Sequence, residues 1–151
     1  MLLHKAVPEK AQEFAGYPLE LVVLHTTTQG TLHALRTAAD LAQGLGARIR
    51  LLVLQAVPYA LPLTEPNVSL EFTQRRFRTL AAGSGVDTYV DIRLGRDRET
   101  MLKSAVERDS VVVVGKLRKH LWFSKENRLV KQLKRMGYQV VVSTEGDKTA
   151  A

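Results

Sequence analysis

With 151 residues, a 45% apolar share and no cysteine, the chain can bury one substantial core, and disulfides, thiol catalysis and cysteine-based metal sites are excluded. The net charge of +7 is unevenly placed: residues 93–135 carry 13 Lys/Arg against 5 Asp/Glu, whereas the remainder carries 9 against 10. No apolar run approaches the roughly 18–20 residues of a membrane helix, and the first residues never build a secretion-type apolar core, so a cytoplasmic protein is expected. The basic excess reads first as solvated helix faces, with an anion or nucleic-acid contact as the functional alternative.

Residues 1–17 form a mixed lead-in punctuated by Pro8 and Gly16, in which Ala6–Phe14 could make a short helix. The α/β domain is expected over 18–145, leaving 146–151 as a tail. Leu19–Leu24 reads as a first, central strand ending at His25-Thr26-Thr27-Thr28. Thr31 is a plausible N-cap for a helix in which Leu32, Leu35, Ala38, Ala39, Ala42 and Leu45 recur at helical spacing, stopped by Gly44 and Gly46. Ala47–Gln55 is the second strand, followed by a proline-containing loop through Pro58, Pro62 and Pro66. From about Ser69 to Ala82, Phe72, Arg76, Phe77 and Leu80 describe a helix with an aromatic inner face. Asp87–Leu94 alternates like a half-exposed strand, with Thr88, Val90, Ile92 and Leu94 on one side.

After Gly95, Arg98–Arg108 makes a short helix, and Asp109-Ser110 leads into Val111–Gly115. Four consecutive valines without polar alternation are what a fully buried parallel strand requires. A helix from about Lys125 to Met136 follows, ended by Gly137, and Tyr138–Ser143 is the last strand. Strict β/α alternation with buried strands implies a three-layer α/β fold, a parallel sheet with helices on both faces. In such folds ligands sit beyond the carboxyl ends of the strands, which here points to the basic loop after Val111–Gly115.

Several linked features carry a family resemblance over Leu19–Thr144. They are the stretch LHALRTAADLAQGLGARIRLLVLQAVP, the long proline-containing loop after it, Gly95 after the third strand, and VVVVGK at the fourth. In their order and spacing the chain resembles the universal stress protein family. The resemblance implies a five-stranded parallel sheet in order 3-2-1-4-5, a Rossmann-like adenine-nucleotide type, non-catalytic and often a homodimer through its last strand, here Tyr138 to Ser143. It also implies ATP or AMP as a ligand, held through a pattern G-x2-G-x9-G-[ST] whose glycines let backbone N–H groups approach phosphates. Counting from Gly115, the later glycines fall on Arg118 and Arg128, and the Ser/Thr place on Leu129. The family's acidic residue near the base aligns with Thr26 and a neighbouring Ser with Thr28. The nucleotide site therefore reads as degenerate or altered.

The candidate nucleotide or anion contacts are Thr26, Thr28, Leu54, Gly115, Lys116, Arg118, Lys119, Ser124 and Lys125. Side-chain cations can replace glycine amides as an anion cradle, and Ser124 is placed to cap the following helix. The simpler reading is that these charges are solvated and that Leu121-Trp122-Phe123 packs the loop shut. No nucleophile elbow, phosphate-binding P-loop or histidine metal spacing occurs, and the aspartates fall on different elements, so no catalytic residue or metal site is expected. His25, at the end of the first strand, could reach a ligand but reads more simply as a structural histidine.

Overall fold

The computed structural model describes residues 3–4, 19–64, 69–85, 87–116 and 125–144. The expected helix at Ala6–Phe14 and the loop residues Arg118, Lys119, His120, Trp122, Phe123 and Ser124 lie outside the described residues. The strands are β1 (Leu3–His4), β2 (Glu20–Leu24), β3 (Arg48–Ala56), β4 (Thr88–Gly95), β5 (Val111–Lys116) and β6 (Gln139–Thr144). The last five are parallel, as the β/α alternation implied, and lie in the order β4-β3-β2-β5-β6, as the family resemblance implied. The unanticipated strand is β1, which pairs antiparallel with β4 through Leu3–Leu94 and His4–Arg93. Two residues carry no periodicity, so nothing in the sequence could announce it.

Helices α1 (Thr28–Leu45) and α2 (Leu70–Ala82) cover one sheet face, and α3 (Arg98–Ala105) and α4 (Lys125–Arg135) the other. Because strand side chains alternate, each strand feeds both layers. Leu21, Val23, Leu51, Ile92 and Val113 pack with Leu35, Ala38 and Phe77 under the first pair. Val22, Leu24, Leu52, Val112 and Val114 pack with Leu102, Leu129 and Leu133 under the second. Tyr138, just before β6, is buried and donates its hydroxyl to the Leu102 and Val106 carbonyls, tying the end of α3 to the last strand.

Helix α1 begins earlier than its apolar spacing suggested. Thr27 is the N-cap, its Oγ1 accepting from the Gly30 N–H at 3.0 Å, and Gly46 ends the helix in the left-handed conformation at φ 63°. Thr31 is therefore not a cap. It lies fully buried in the first turn, where its Oγ1 accepts from the Thr26 N–H at 3.2 Å and meets His25 Nδ1 at 2.8 Å. At the other end Leu45 is exposed, one position past the buried stripe.

Two further expectations are corrected. On α2 the buried positions are Thr73, Phe77 and Ala81, whereas Phe72 is 58% exposed. Positions 73, 77 and 81 share one helical stripe and Phe72 lies off it; Thr73 can turn inward because its Oγ1 is satisfied by the Ser69 carbonyl at 3.1 Å. Strand β4 is not half-exposed either, since Tyr89 and Asp91 on its second face are as buried as Val90 and Ile92. Charge pairing makes that possible. Arg50 of β3 lies between Glu20 of β2 at 2.9 Å and Asp91 of β4 at 3.0 Å, and Arg93 holds the other Asp91 oxygen at 2.9 Å. Arg48 and the Tyr89 hydroxyl meet Glu20 Oε2 at 3.2 and 2.8 Å. Burial alone would pull Arg50 down, but Glu20, Tyr89 and Asp91 outweigh it and hold the guanidinium above its ordinary range.

Candidate functional site

The carboxyl ends of β2 and β3 meet the starts of α1, α3 and α4 around a cleft of about 320 Å³. Its walls are Leu24, His25, Thr26, Thr27, Leu54, Arg98, Lys125, Glu126 and Leu129. This is where an open parallel sheet offers a ligand its crevice, beyond the strand ends and beside helix N-termini. A larger cavity of about 480 Å³ opens at the opposite end of the sheet, lined by Glu20, Arg48, Arg50 and Tyr89 among others. Those four groups bind one another, so that end reads as a structural ion network.

Of the sequence candidates, Thr26, Leu54 and Lys125 are brought together in the cleft wall. Leu54 and the neighbouring Leu24 and Leu129 supply an apolar floor, Thr26 and Thr27 supply hydroxyls, and Lys125 supplies a cation. Gly115 adjoins the site through its carbonyl, which accepts from Thr26 Oγ1 at 3.4 Å. Its glycine character has a packing cause: a Cβ built there would stand 1.7 Å from the Gly30 carbonyl oxygen. The end of β5 thus seats the first turn of α1 backbone against backbone. Lys116, at the end of β5, is partly buried and does not line the cleft. Thr28 faces elsewhere, accepting from Arg76 Nη2 at 2.9 Å on the exposed side of α1. Arg118, Lys119 and Ser124 lie outside the described residues.

His25 lines the cleft but is held from behind. Its Nδ1 is bonded to Thr31 and its ring meets the Phe77 ring edge-on at a centroid distance of 4.5 Å. Burial, with a smaller contribution from the Arg76 charge, lowers its pKa to about 4, so at neutral pH it is an uncharged wall. Asp97, which lies just beyond β4, caps α3 by accepting from the Thr100 N–H at 2.9 Å and the Thr100 hydroxyl at 2.6 Å. Those bonds to the ionised form hold its carboxyl below the usual range.

Arg98 was not singled out by the sequence, where it reads as one of many arginines on an exposed helix. Its side chain reaches the cleft because α3 and α4 lie on the same sheet face: Arg98 Nε donates to Gln132 Oε1 of α4 at 2.9 Å. The spacing Lys125, Leu129, Gln132 on α4 puts all three on one helical face, a signal visible only once the partner helix is known. Among the described residues there is no group of three or more His, Asp or Glu that could hold a metal ion, and no helix is long and apolar enough to cross a membrane.

No protein-family model matches the chain, and no curated protein does at a meaningful level. Solved structures do. The universal stress protein from Archaeoglobus fulgidus superposes with a TM-score of 0.55 at 13% identity, covering 83% of this chain and 93% of that one. The Archaeoglobus fulgidus protein in complex with dAMP gives 0.56 at 11% identity, covering 84% and 98%. The chain has the universal stress protein fold. A third structure, a universal stress protein in complex with cAMP, gives 0.52 at 15% identity, covering 83% and 95%. At these identities the agreement is one of architecture: five parallel strands in the order of the universal stress fold, with paired helix layers on either side.

Proposed function

We propose that the chain is a universal-stress-type protein that binds a nucleoside monophosphate at the carboxyl end of its sheet and does not turn it over. The observation that carries this reading is the cleft itself, where an apolar floor, two threonine hydroxyls and two cations converge in one space of about 320 Å³. An apolar floor suits a base, hydroxyls suit its edge or a sugar, and cations suit a phosphoryl group. Two proteins of the same fold were solved with cAMP and dAMP, both single-phosphate adenine nucleotides. Binding without turnover is supported by the placement of His25, whose Nδ1 is bonded to Thr31 and whose ring is packed edge-on against Phe77. Arg118 and Arg128 occupy the glycine places of the phosphate pattern, so ATP held in the usual glycine-lined manner is not part of the proposal. Lys116, Arg118, Lys119 and Ser124, close in sequence to the site, are proposed to add positive charge and a helix cap.

Mass spectrometry of the heat-released contents of freshly purified protein, together with calorimetric titration by AMP, tests the reading. A retained adenine monophosphate or a saturable heat with AMP is expected. A ligand-free preparation that gives no heat with AMP or adenosine overturns it. The same protein is proposed to pair through β6, whose Val140 to Val142 are only half-buried at the sheet edge. Light scattering should give twice the chain mass, and a monomer at high concentration would exclude the pairing.

A further inference from the structure

We infer that Arg98, positioned by Gln132, is the residue that grips the ligand's phosphoryl group. The inference deepens the nucleoside monophosphate reading and rests on it. Gly115 is packed against the Gly30 backbone, and the later glycine places of the phosphate pattern are Arg118 and Arg128 in this sequence, so the pattern supplies no run of glycines to wrap a phosphate. The charge must then be met by side chains that reach the cleft, and among the described residues of its wall these are Arg98 and Lys125.

The two differ in what they can do. Lys125 is a point charge on a flexible stem, whereas a guanidinium is a planar fork with five N–H donors suited to two phosphate oxygens at once. One of those donors is already committed, since Arg98 Nε is bonded to Gln132 Oε1 at 2.9 Å. That bond fixes the plane of the fork from α4 while leaving the terminal nitrogens for a ligand. A pre-set fork loses less side-chain freedom on binding than a free one. Among the described residues of the wall, Arg98 and Lys125 face a single carboxylate, Glu126, so the cleft keeps a positive balance for a phosphoryl group. Gln132 is a positioning residue here: it touches Arg98, not the ligand.

The test is calorimetric titration of the full chain with AMP and, in parallel, with adenosine, which lacks the phosphoryl group. Arg98→Ala should weaken AMP binding by about tenfold or more, the scale of a lost hydrogen bond to a charged group, and leave adenosine binding unchanged. Arg98→Lys should recover part of the AMP affinity through charge alone. Gln132→Leu should weaken AMP by a few-fold with adenosine again unaffected. If Arg98→Ala leaves AMP binding unaltered, or lowers AMP and adenosine equally, the assignment to Arg98 is wrong while the nucleotide reading stands. If the unmodified chain binds neither compound, the nucleotide reading fails and this assignment falls with it. Arg98 is exposed and outside both cores, so the variants should fold, and unchanged circular dichroism confirms it.

Discussion

Gly115 and His25 show how single residues at the strand ends are fixed by their neighbours. A Cβ at Gly115 would lie 1.7 Å from the Gly30 carbonyl oxygen, so either β5 or the start of α1 must move. Gly115→Ala should therefore lose about 1–3 kcal/mol or more, the usual cost of forcing atoms into a filled core, read as a lower urea midpoint with unchanged slope. The sequence marked Gly115 as notable but for its approach to phosphate, because a strand-end glycine looks the same whether it admits a ligand or a helix. At His25 the folded ring has a pKa of about 4 against an ordinary 6.5. The unfolded chain takes up the proton first as pH falls, so the stability this ring contributes is complete above about pH 6.5 and is lost on passing down through about pH 4. Chemical denaturation at pH 7 and pH 5 should show that fall, and His25→Asn should flatten it.

At the level of elements, α1 and α2 separate what periodicity reveals from what it hides. The alternation of strands and helices, their order and the buried valine run were all legible, because each rests on the spacing of apolar residues. The start of α1 was not. Four threonines between Thr26 and Thr31 are equally good caps by composition, and only the Thr27 Oγ1 bond to the Gly30 N–H distinguishes one. Thr27→Ala should cost about 0.5–2 kcal/mol, whereas the same change at exposed Thr28 should cost far less. The inner face of α2 was misread for a related reason: Phe72 outweighs Thr73 in hydropathy, yet it is Thr73 that is buried. Phe72→Gln should change the denaturation midpoint by no more than about 0.5 kcal/mol in free energy. Of the candidate site, Thr26 came from the family resemblance and Lys125 from the cations around the phosphate position that the resemblance implies, and both, with Leu54, lie in the cleft wall. Arg98 needed the packing of α3 beside α4.

Across the whole molecule, the sheet is apolar toward β5 and ionic toward β4, where Glu20, Arg50 and Asp91 join three strands on one face. Removing one partner of a buried ion pair leaves the other uncompensated, so Arg50→Ala should destabilise by about 3–5 kcal/mol in urea denaturation. No one-dimensional pattern reveals such a network, since alternating Arg and Asp read as solvent-facing until the neighbouring strands are in register. The short β1 has a different kind of consequence. By occupying β4 at Leu94 and Arg93 it blocks a foreign strand from running the full length of that edge, whereas among the described residues β6 pairs only with β5. With that edge obstructed, the pairing proposed for β6 would join one neighbour and then stop, turning strand addition away from filaments and toward closed pairs.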